Sequence, residues 1–308
     1  MTGSMLISIV MATLVAGTPL AYAALGELVA EKSGVLNLGI EGMMLAGAVT
    51  GFIAASATNS VWIGVAAGMM AGAALAAVFA VVAITLLASQ VAAGLALAIF
   101  GTGLSSLLGK GYTGTSLVLE PSSVAAVVNQ IPIVGPLLTQ LHPLVYLSWL
   151  LFAGVNYFLY KTKAGLILRA VGESPASAHA IGYPVIRIRY LATIFGGAMS
   201  GVAGAYLATV YTPLWTEGMT AGRGWIALAL VVFGTWRPAR VLFGAYLFGG
   251  VTTAQLFAQG AGIPLPPELM SSLPYIATIV VLVLITRSRT LVRMNAPAAL
   301  GQSFHAYA

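Results

Sequence analysis

Val61-Trp62-Ile63-Gly64-Val65-Ala66-Ala67-Gly68-Met69-Met70-Ala71-Gly72-Ala73-Ala74-Leu75-Ala76-Ala77-Val78-Phe79-Ala80 continues without a charged residue through Ala88. A hydrocarbon core about 30 Å thick takes roughly 20 helical residues to cross, and residues 61–88 exceed that length. Within the run Gly64, Gly68 and Gly72 stand four apart and lead into Ala76 and Ala80, so one helix face carries almost no side chain. Such faces let helix backbones approach closely in lipid, where apolar burial gives no preference between neighbours. Gly197 and Gly201 repeat the spacing. The stretch predicts an all-α bundle of transmembrane helices packed through small-residue seams. The spacing alone leaves open whether a seam joins helices of one subunit or of two.

The rest of the chain agrees. Of 308 residues 59% are hydrophobic and 6% charged, far from the roughly 25% charge of soluble domains. Apolar runs near residues 5–26, 35–57, 61–88, 91–109, 143–160, 188–212, 222–236, 240–258 and 271–287 make about nine candidate spans. The seventh is short and reads as a partial or re-entrant helix, which lipid tolerates only where protein or a water-filled cavity covers its backbone ends. The formal charge of +6 does not indicate nucleic acid, because the basic residues sit at the ends of apolar runs rather than in an aromatic-lined stripe. Alternating the spans puts Lys32, Lys161, Lys163, Arg169, Arg187, Arg189, Arg237, Arg240, Arg287, Arg289 and Arg293 on one side, with Lys110 and Arg223 on the other. The basic side is expected to be cytoplasmic, giving an external N-terminus and an internal C-terminus. Ala21-Tyr22-Ala23 superficially resembles a cleavage site, but Met1 to Ser4 carry no positive charge and the apolar run is long, so the first span reads as an uncleaved helix.

No linker divides the chain, and residues 1–308 read as one transmembrane domain. Lys110 to His142, broken by Pro121, Pro132 and Pro136, is expected outside, where it receives a soluble partner or lays the apolar Ile131 to Leu138 on the bilayer surface. The stretch near 259–270, with Pro264, Pro266 and Pro267, reads as a rigid outer turn.

Three runs carry polar chemistry. Ser33-Gly34-Val35-Leu36-Asn37-Leu38-Gly39-Ile40-Glu41-Gly42-Met43-Met44 opens the second span with an amide and a carboxyl group four residues apart on one helix face. A carboxylate in a span faces a bundle interior, a cavity or a partner. Two readings stand: Asn37 and Glu41 line a polar path or touch a substrate hydroxyl, or Asn37 caps a helix beginning near Leu38 with Glu41 at its positive end. Both require a helix that starts inside protein. In the run from Trp215 to Pro238, glycines interrupt an aromatic and charged cluster. Glu217 and Arg223 are an expected pair, and Trp215 and Trp225 offer flat faces to a ring-bearing ligand or belong to an interfacial aromatic belt. Arg169 to Gly182 holds a short polar helix: Ser174 suits the cap, Pro175 the first helical position and Gly182 a left-handed stop. Its small residues Ala176, Ser177, Ala178, His179 and Ala180 fit a partner's groove, or leave it a solvated connector.

Several chemistries are excluded. There is no cysteine, hence no disulfide and no thiolate nucleophile or ligand. There is no phosphate-binding G-x-x-x-x-G-K-[ST] loop, so the chain is not expected to hydrolyse ATP. The histidines are His142, His179 and His305 and every acidic residue is Glu, which supports neither a metal cluster nor a Ser-His-Asp triad. No enzymatic activity and no cofactor in this chain are expected.

Taken together, Ser33 to Met44, Gly222 to Pro238 and Arg169 to Gly182 resemble the permease subunits of ATP-binding-cassette importers in the class that takes up ribose, branched-chain amino acids and nucleosides. The first two runs look like those of the nucleoside and simple-sugar branch, and the length looks like the shorter of two paired permeases. The resemblance implies a prokaryotic inner membrane, a second permease subunit in a heterodimer or homodimer, two cytoplasmic ATPase subunits carrying ATP and Mg, and an extracytoplasmic binding protein that delivers nucleosides or simple sugars. It implies that residues 161–187 form the coupling segment, with Arg169 and Glu173 orienting the lever and Gly172, Ser174, Pro175, Ala178 and Gly182 within it. Asn37, Glu41, Trp215, Glu217, Arg223 and Trp225 are then candidates to line the path. An ion-coupled secondary transporter using Glu41, or a channel built on the same seams, is the alternative from another class.

Overall fold

The computed structural model describes residues 3–117, 141–260, ten residues scattered between 266 and 283, and 295–305. The helices are α1 Gly3–Lys32, α2 Ile40–Thr58, α3 Val61–Ala80, α4 Gln90–Gly109, α5 Pro143–Lys161, α6 Lys163–Glu173, α7 Pro175–Ala180, α8 Val185–Tyr206, α9 Arg223–Phe233 and α10 Pro238–Gly260. Among the described residues seven helices are long and apolar enough to cross a membrane, while α9, at 11 residues, covers about half that distance. The short seventh span expected between 222 and 236 is this half-helix. The segment expected outside before His142, the turn expected near 259–270 and the span expected at 271–287 fall wholly or largely outside the described residues.

Two helices form the interior. From Ala16 onward every residue of α1 is buried, and α2 is buried along most of its length. A helix with no polar face and no exposed face is one enclosed by other helices. Around α1 stand α5, α8, α9 and α10, while α2 lies between α3, α4 and α8. The outer faces of α4 and α5 present Ile99, Leu107 and Leu150, the surface that hydrocarbon solvates.

The small-residue seams lie within this one chain. A Cβ placed on Gly72 would stand 2.2 Å from the Gly197 carbonyl oxygen, and one on Gly201 would stand 2.1 Å from that of Gly68. On α2, Gly47 meets the Gly201 backbone and Gly51 meets Ala205. Thus α2, α3 and α8 pack backbone to backbone. Both α3 and α8 end in a wide turn, with Leu86 N donating to Val81 O and Thr212 N to Leu207 O, each at 2.9 Å.

Lys32, Arg189 and Arg237 converge on the two segments 33–34 and 295–302 at one end of the bundle. Arg223 lies at the other end of α9, beside Met219 and Thr220. These four basic residues are thus separated as the sequence expectation requires, while Arg287, Arg289 and Arg293 lie outside the described residues.

Candidate functional site

After Lys32 the chain folds back along the last turns of α1. Residues 33–40 are buried or half-buried, and Asn37 N donates to Glu27 Oε1 at 3.2 Å. Gly39 N donates to Asn37 Oδ1 at 2.9 Å, a local Asx turn that satisfies backbone the membrane interior cannot. The helix begins at Ile40 with Gly39 as its cap, two residues later than the start expected near Leu38. Asn37 shapes the entry to α2 and is fully buried, its Nδ2 directed at Met43 Sδ at 3.5 Å. It does not line an open path in this chain.

Glu41, in the first turn of α2, reaches across to α9. Its Oε1 accepts from Thr220 Oγ1 at 2.6 Å and from Gly222 N at 2.9 Å, and its Oε2 accepts from Gly224 N at 2.6 Å. Ala221 and Gly222 both have positive φ, 48° and 80°, which turns the successive amides toward one point. Gly224 is glycine for a steric reason as well, since a Cβ there would lie 2.6 Å from Glu41 Cα. The carboxylate thus sits at the N-termini of two helices at once, where both backbone dipoles favour its charge. It is a clasp between α2 and the half-helix.

The other end of α9 is held by α1. Thr235 and Trp236 take positive φ of 49° and 52°, and the chain turns so that Trp236 Nε1 donates to Glu31 Oε2 in a short hydrogen bond. Glu27 and Glu31, one turn apart, are both fully buried, and Glu27 Oε2 and Glu31 Oε1 have no hydrogen-bond partner among the described residues. A first span bounded at residue 26 leaves this pair outside the sequence candidates. The signal was present in Gly26-Glu27-Leu28-Val29-Ala30-Glu31-Lys32, where two carboxyl groups share a helix face at the end of an apolar run.

Four further candidates occupy different surroundings. Trp215 is closed off in a cluster with Ala48, Val49, Phe52 and Ala208, its ring 6.5 Å from that of Phe52, so it anchors a loop rather than offering a face to a ligand. A Cβ on Gly109 would collide with its indole, which explains that glycine. Trp225 is 38% exposed, and no ring contact joins it to Trp215 among the described residues. The expected pairing of Glu217 with Arg223 is not formed: Arg223 donates to the Met219 and Thr220 carbonyls at 3.2 and 3.3 Å and covers the Tyr211 ring, while Glu217 is exposed in the preceding loop. The guanidinium finds closer acceptors in the turn that precedes its own helix.

The segment from 161 to 187 contains two helices. Ser174 separates them, ending α6 and capping α7 by accepting from Ser177 N at 3.3 Å. Pro175 takes the first helical position and Gly182, at φ 91°, stops the helix, as its residue types dictate. Ala178 faces inward, packed with Val171 and Val185, so it is not part of a surface seated in a partner. Gly172 also faces inward, where a Cβ would lie 2.2 Å from the Lys32 carbonyl oxygen. Arg169 is half-buried over the Tyr160 ring and Glu173 is exposed. The outward face of α7 and its exit consists of Ala176, Ser177, His179, Ala180, Ile181 and Gly182.

A cavity of about 550 Å³ lies between α1, α5, α6 and α8, lined by Val29, Leu151, Val155, Phe158, Leu168 and Phe195 among others. Every lining residue is apolar or glycine, so it has no side-chain group with which to recognise a hydroxylated solute.

Comparison with known proteins adds independent findings. Residues 9–283 match the family described as branched-chain amino acid transport system / permease component. The chain is 41% identical to a putative glucose ABC transporter permease protein of Haloferax volcanii, over 96% of each chain. It is 32% identical to a guanosine ABC transporter permease protein of Bacillus subtilis, over 89% of this chain and 90% of the other. A nucleoside ABC transporter permease protein of Lactococcus lactis is 28% identical over 88% of this chain and 90% of its own length.

Proposed function

We infer the function of a chain that belongs to the family of branched-chain amino acid transport system permease components. It is a multi-pass plasma-membrane subunit of an ABC importer and not itself an enzyme; hydrolysis belongs to separate ATPase subunits, and permeases of this kind work with ATPase and substrate-binding proteins. Its solute is a nucleoside or a simple sugar, delivered by an external binding protein. Two observations support the choice: relatives named for glucose, guanosine and nucleosides, and an interior with few charges, suited to a neutral hydroxylated molecule.

The observation that carries the mechanism is α9, a half-helix inside the bundle whose N-terminus is clasped by Glu41 and whose C-terminal turn is tied to Glu31. A helix too short to cross, fixed at both ends to two different helices, is a part that moves when those helices separate. Residues 161–187 are the coupling segment, with α7 as the lever that an ATPase subunit grips. The end of the bundle carrying α7 faces the cytoplasm and the N-terminus lies outside. The working permease pairs this chain with a second, longer one, and ATP and Mg bind on the partner ATPases. The path runs along the face shared by the two permeases, with Trp225, Glu217 and Arg223 at its approach.

The test is reconstitution of the chain, with the proteins that co-purify with it, into liposomes, and an uptake panel of nucleosides, pentoses and hexoses. ATP-dependent uptake of one of these, insensitive to a protonophore, is the expected result. Uptake that needs no ATP and collapses with the proton gradient would overturn it in favour of a secondary transporter.

A further inference from the structure

Residues 295–305 lie as a strap across the ends of several otherwise separate elements. Lys32 Nζ donates to Asn295 O at 2.7 Å, Ala299 N to Gly172 O at 2.9 Å and Gly301 N to Gly34 O at 3.1 Å. Gln302 O accepts from Arg189 Nη1 at 3.0 Å and from Gln90 Nε2 at 3.4 Å. Beyond it the Phe304 ring meets His179 of α7 edge to face, with centroids 5.6 Å apart.

The strap is short of apolar bulk, so hydrophobic burial alone does not seat it. Hydrogen bonds do, and most use its backbone, with charged donors at Lys32 and Arg189 giving the stronger ones. Arg189 is 2% exposed, and its guanidinium is met by two carbonyls, Ser33 O and Gln302 O, with no partner for Nη2 among the described residues. Without the strap it would lose one of those two, a costly state for a buried cation.

Its position is more informative than its stability. Val171, Ala178 and Val185 form a small core under α7 with Tyr183, Ile188 and Phe304 against it. Among the described residues Phe304 alone comes to that core from outside residues 171–188. The same strap holds Gly34, and Gln90, which bonds it, also accepts from Leu36 N at 2.8 Å. Gly34 and Leu36 belong to the turn that leads into Asn37 and Glu41, the clasp on α9. The strap therefore stands in series between α7 and that clasp.

We propose that the C-terminal strap transmits movement of α7 to the turn between α1 and α2, with Phe304 as the positioning residue that makes α7 and the strap move together. This rests on the reading of α7 as the coupling helix. Among the described residues, loss of the Phe304 ring leaves the core under α7 to its neighbours in sequence, and the clasp no longer follows it.

The experiment compares Phe304→Ala, Phe304→Tyr and Ala299→Pro in the reconstituted complex, reading co-purification with the ATPases, basal ATP hydrolysis and solute taken up per ATP hydrolysed. Ala299→Pro removes the N–H given to Gly172 without touching α7. The expected result is that Phe304→Ala and Ala299→Pro assemble and hydrolyse ATP but lose uptake per ATP by about tenfold, the scale of coupling between linked sites, while Phe304→Tyr retains it. Unchanged uptake per ATP in Phe304→Ala overturns the proposal alone. Failure of both weakened variants to co-purify with the ATPases also overturns it, assigning the strap to docking or folding. Absence of ATP-driven uptake in the unaltered complex overturns the coupling reading itself, and the strap's role with it.

Discussion

Glu41 Oε2 and Gly224 N stand 2.6 Å apart although 183 residues separate them, and this hydrogen bond fixes where the half-helix α9 begins. Both oxygens of the carboxylate accept, one from Thr220 and Gly222 and the other from Gly224. An amide has one accepting oxygen. Glu41→Gln therefore turns an N–H₂ toward an N–H on one side, leaving buried donors unpaired at about 1–3 kcal/mol each. The expected outcome is a clear fall in thermal stability of the purified chain and loss of uptake, whereas Glu41→Asp keeps the charge and a part of both. A Glu41→Gln protein with unchanged melting and uptake would remove the clasp from the mechanism.

Trp236 and Glu31 form the second tie. Trp236→Phe preserves most of the packing but leaves neither oxygen of a buried carboxyl group a partner among the described residues, an expected destabilisation of about 1–3 kcal/mol. Glu31→Leu added to that variant removes the unpaired group, so the double variant is expected to lose less than the sum of the two single ones. A double-mutant cycle in detergent melts checks the coupling.

The seams make a steric prediction with an internal control. Gly201→Ala forces a methyl group to 2.1 Å from the Gly68 oxygen, and neither backbone can retreat without opening α2, α3 and α8 together. A loss of about 1–3 kcal/mol is expected from such overpacking. Gly103→Ala meets nothing within 4 Å and is expected to be neutral or to stabilise slightly through helix propensity. Parallel melts of the two variants distinguish packing from a general intolerance of substitution.

On α7 the two faces separate folding from partner binding. Ala178→Trp cannot fit beneath the helix and is expected to lower the melting temperature of the isolated chain. Ile181→Glu, at a position 72% exposed, is expected to melt normally while failing to co-purify with the ATPases. Normal co-purification of Ile181→Glu would move the grip elsewhere.

His142 offers a test by pH. It caps α5 by accepting from Leu144 N at 3.3 Å through Nδ1, and burial pushes its pKa below the ordinary histidine value. The folded chain therefore binds this proton less readily than the unfolded chain. Its stabilising contribution is complete above about pH 6.5 and is lost as pH falls through the folded-state value, because protonation removes the accepting lone pair. His142→Asn keeps a cap acceptor that does not titrate, and its stability is expected to be flatter between pH 7.5 and 5 than that of the unaltered chain.

Much of the architecture was legible along the chain. Span length and charge bias follow from the thickness and polarity of lipid, and both act on each segment separately, so the long helices, the short one and the basic end could be read residue by residue. The Ser174 cap, Pro175 start and Gly182 stop were legible for the same reason, since capping involves residues three or four apart. The pairings were not. Nothing in the local context of Glu41 says that its carboxylate is spent on Thr220, Gly222 and Gly224, and nothing near Ala178 says that Val171 and Val185 cover it. The expected Glu217–Arg223 pair failed because a turn brought two carbonyls closer to the guanidinium.

By itself, then, the amino-acid order determined an all-helical membrane protein, which end carries the positive charge, and where a small helix would begin and stop. Only the packed structure decided that α9 hangs between Glu41 and Glu31, and that residues 295–305 bind the foot of α1 to α7. Local rules act through bonded neighbours and through solvent, whereas these contacts join residues far apart in the chain. Such contacts exist only after the backbone groups that lipid would leave unpaired have found their partners.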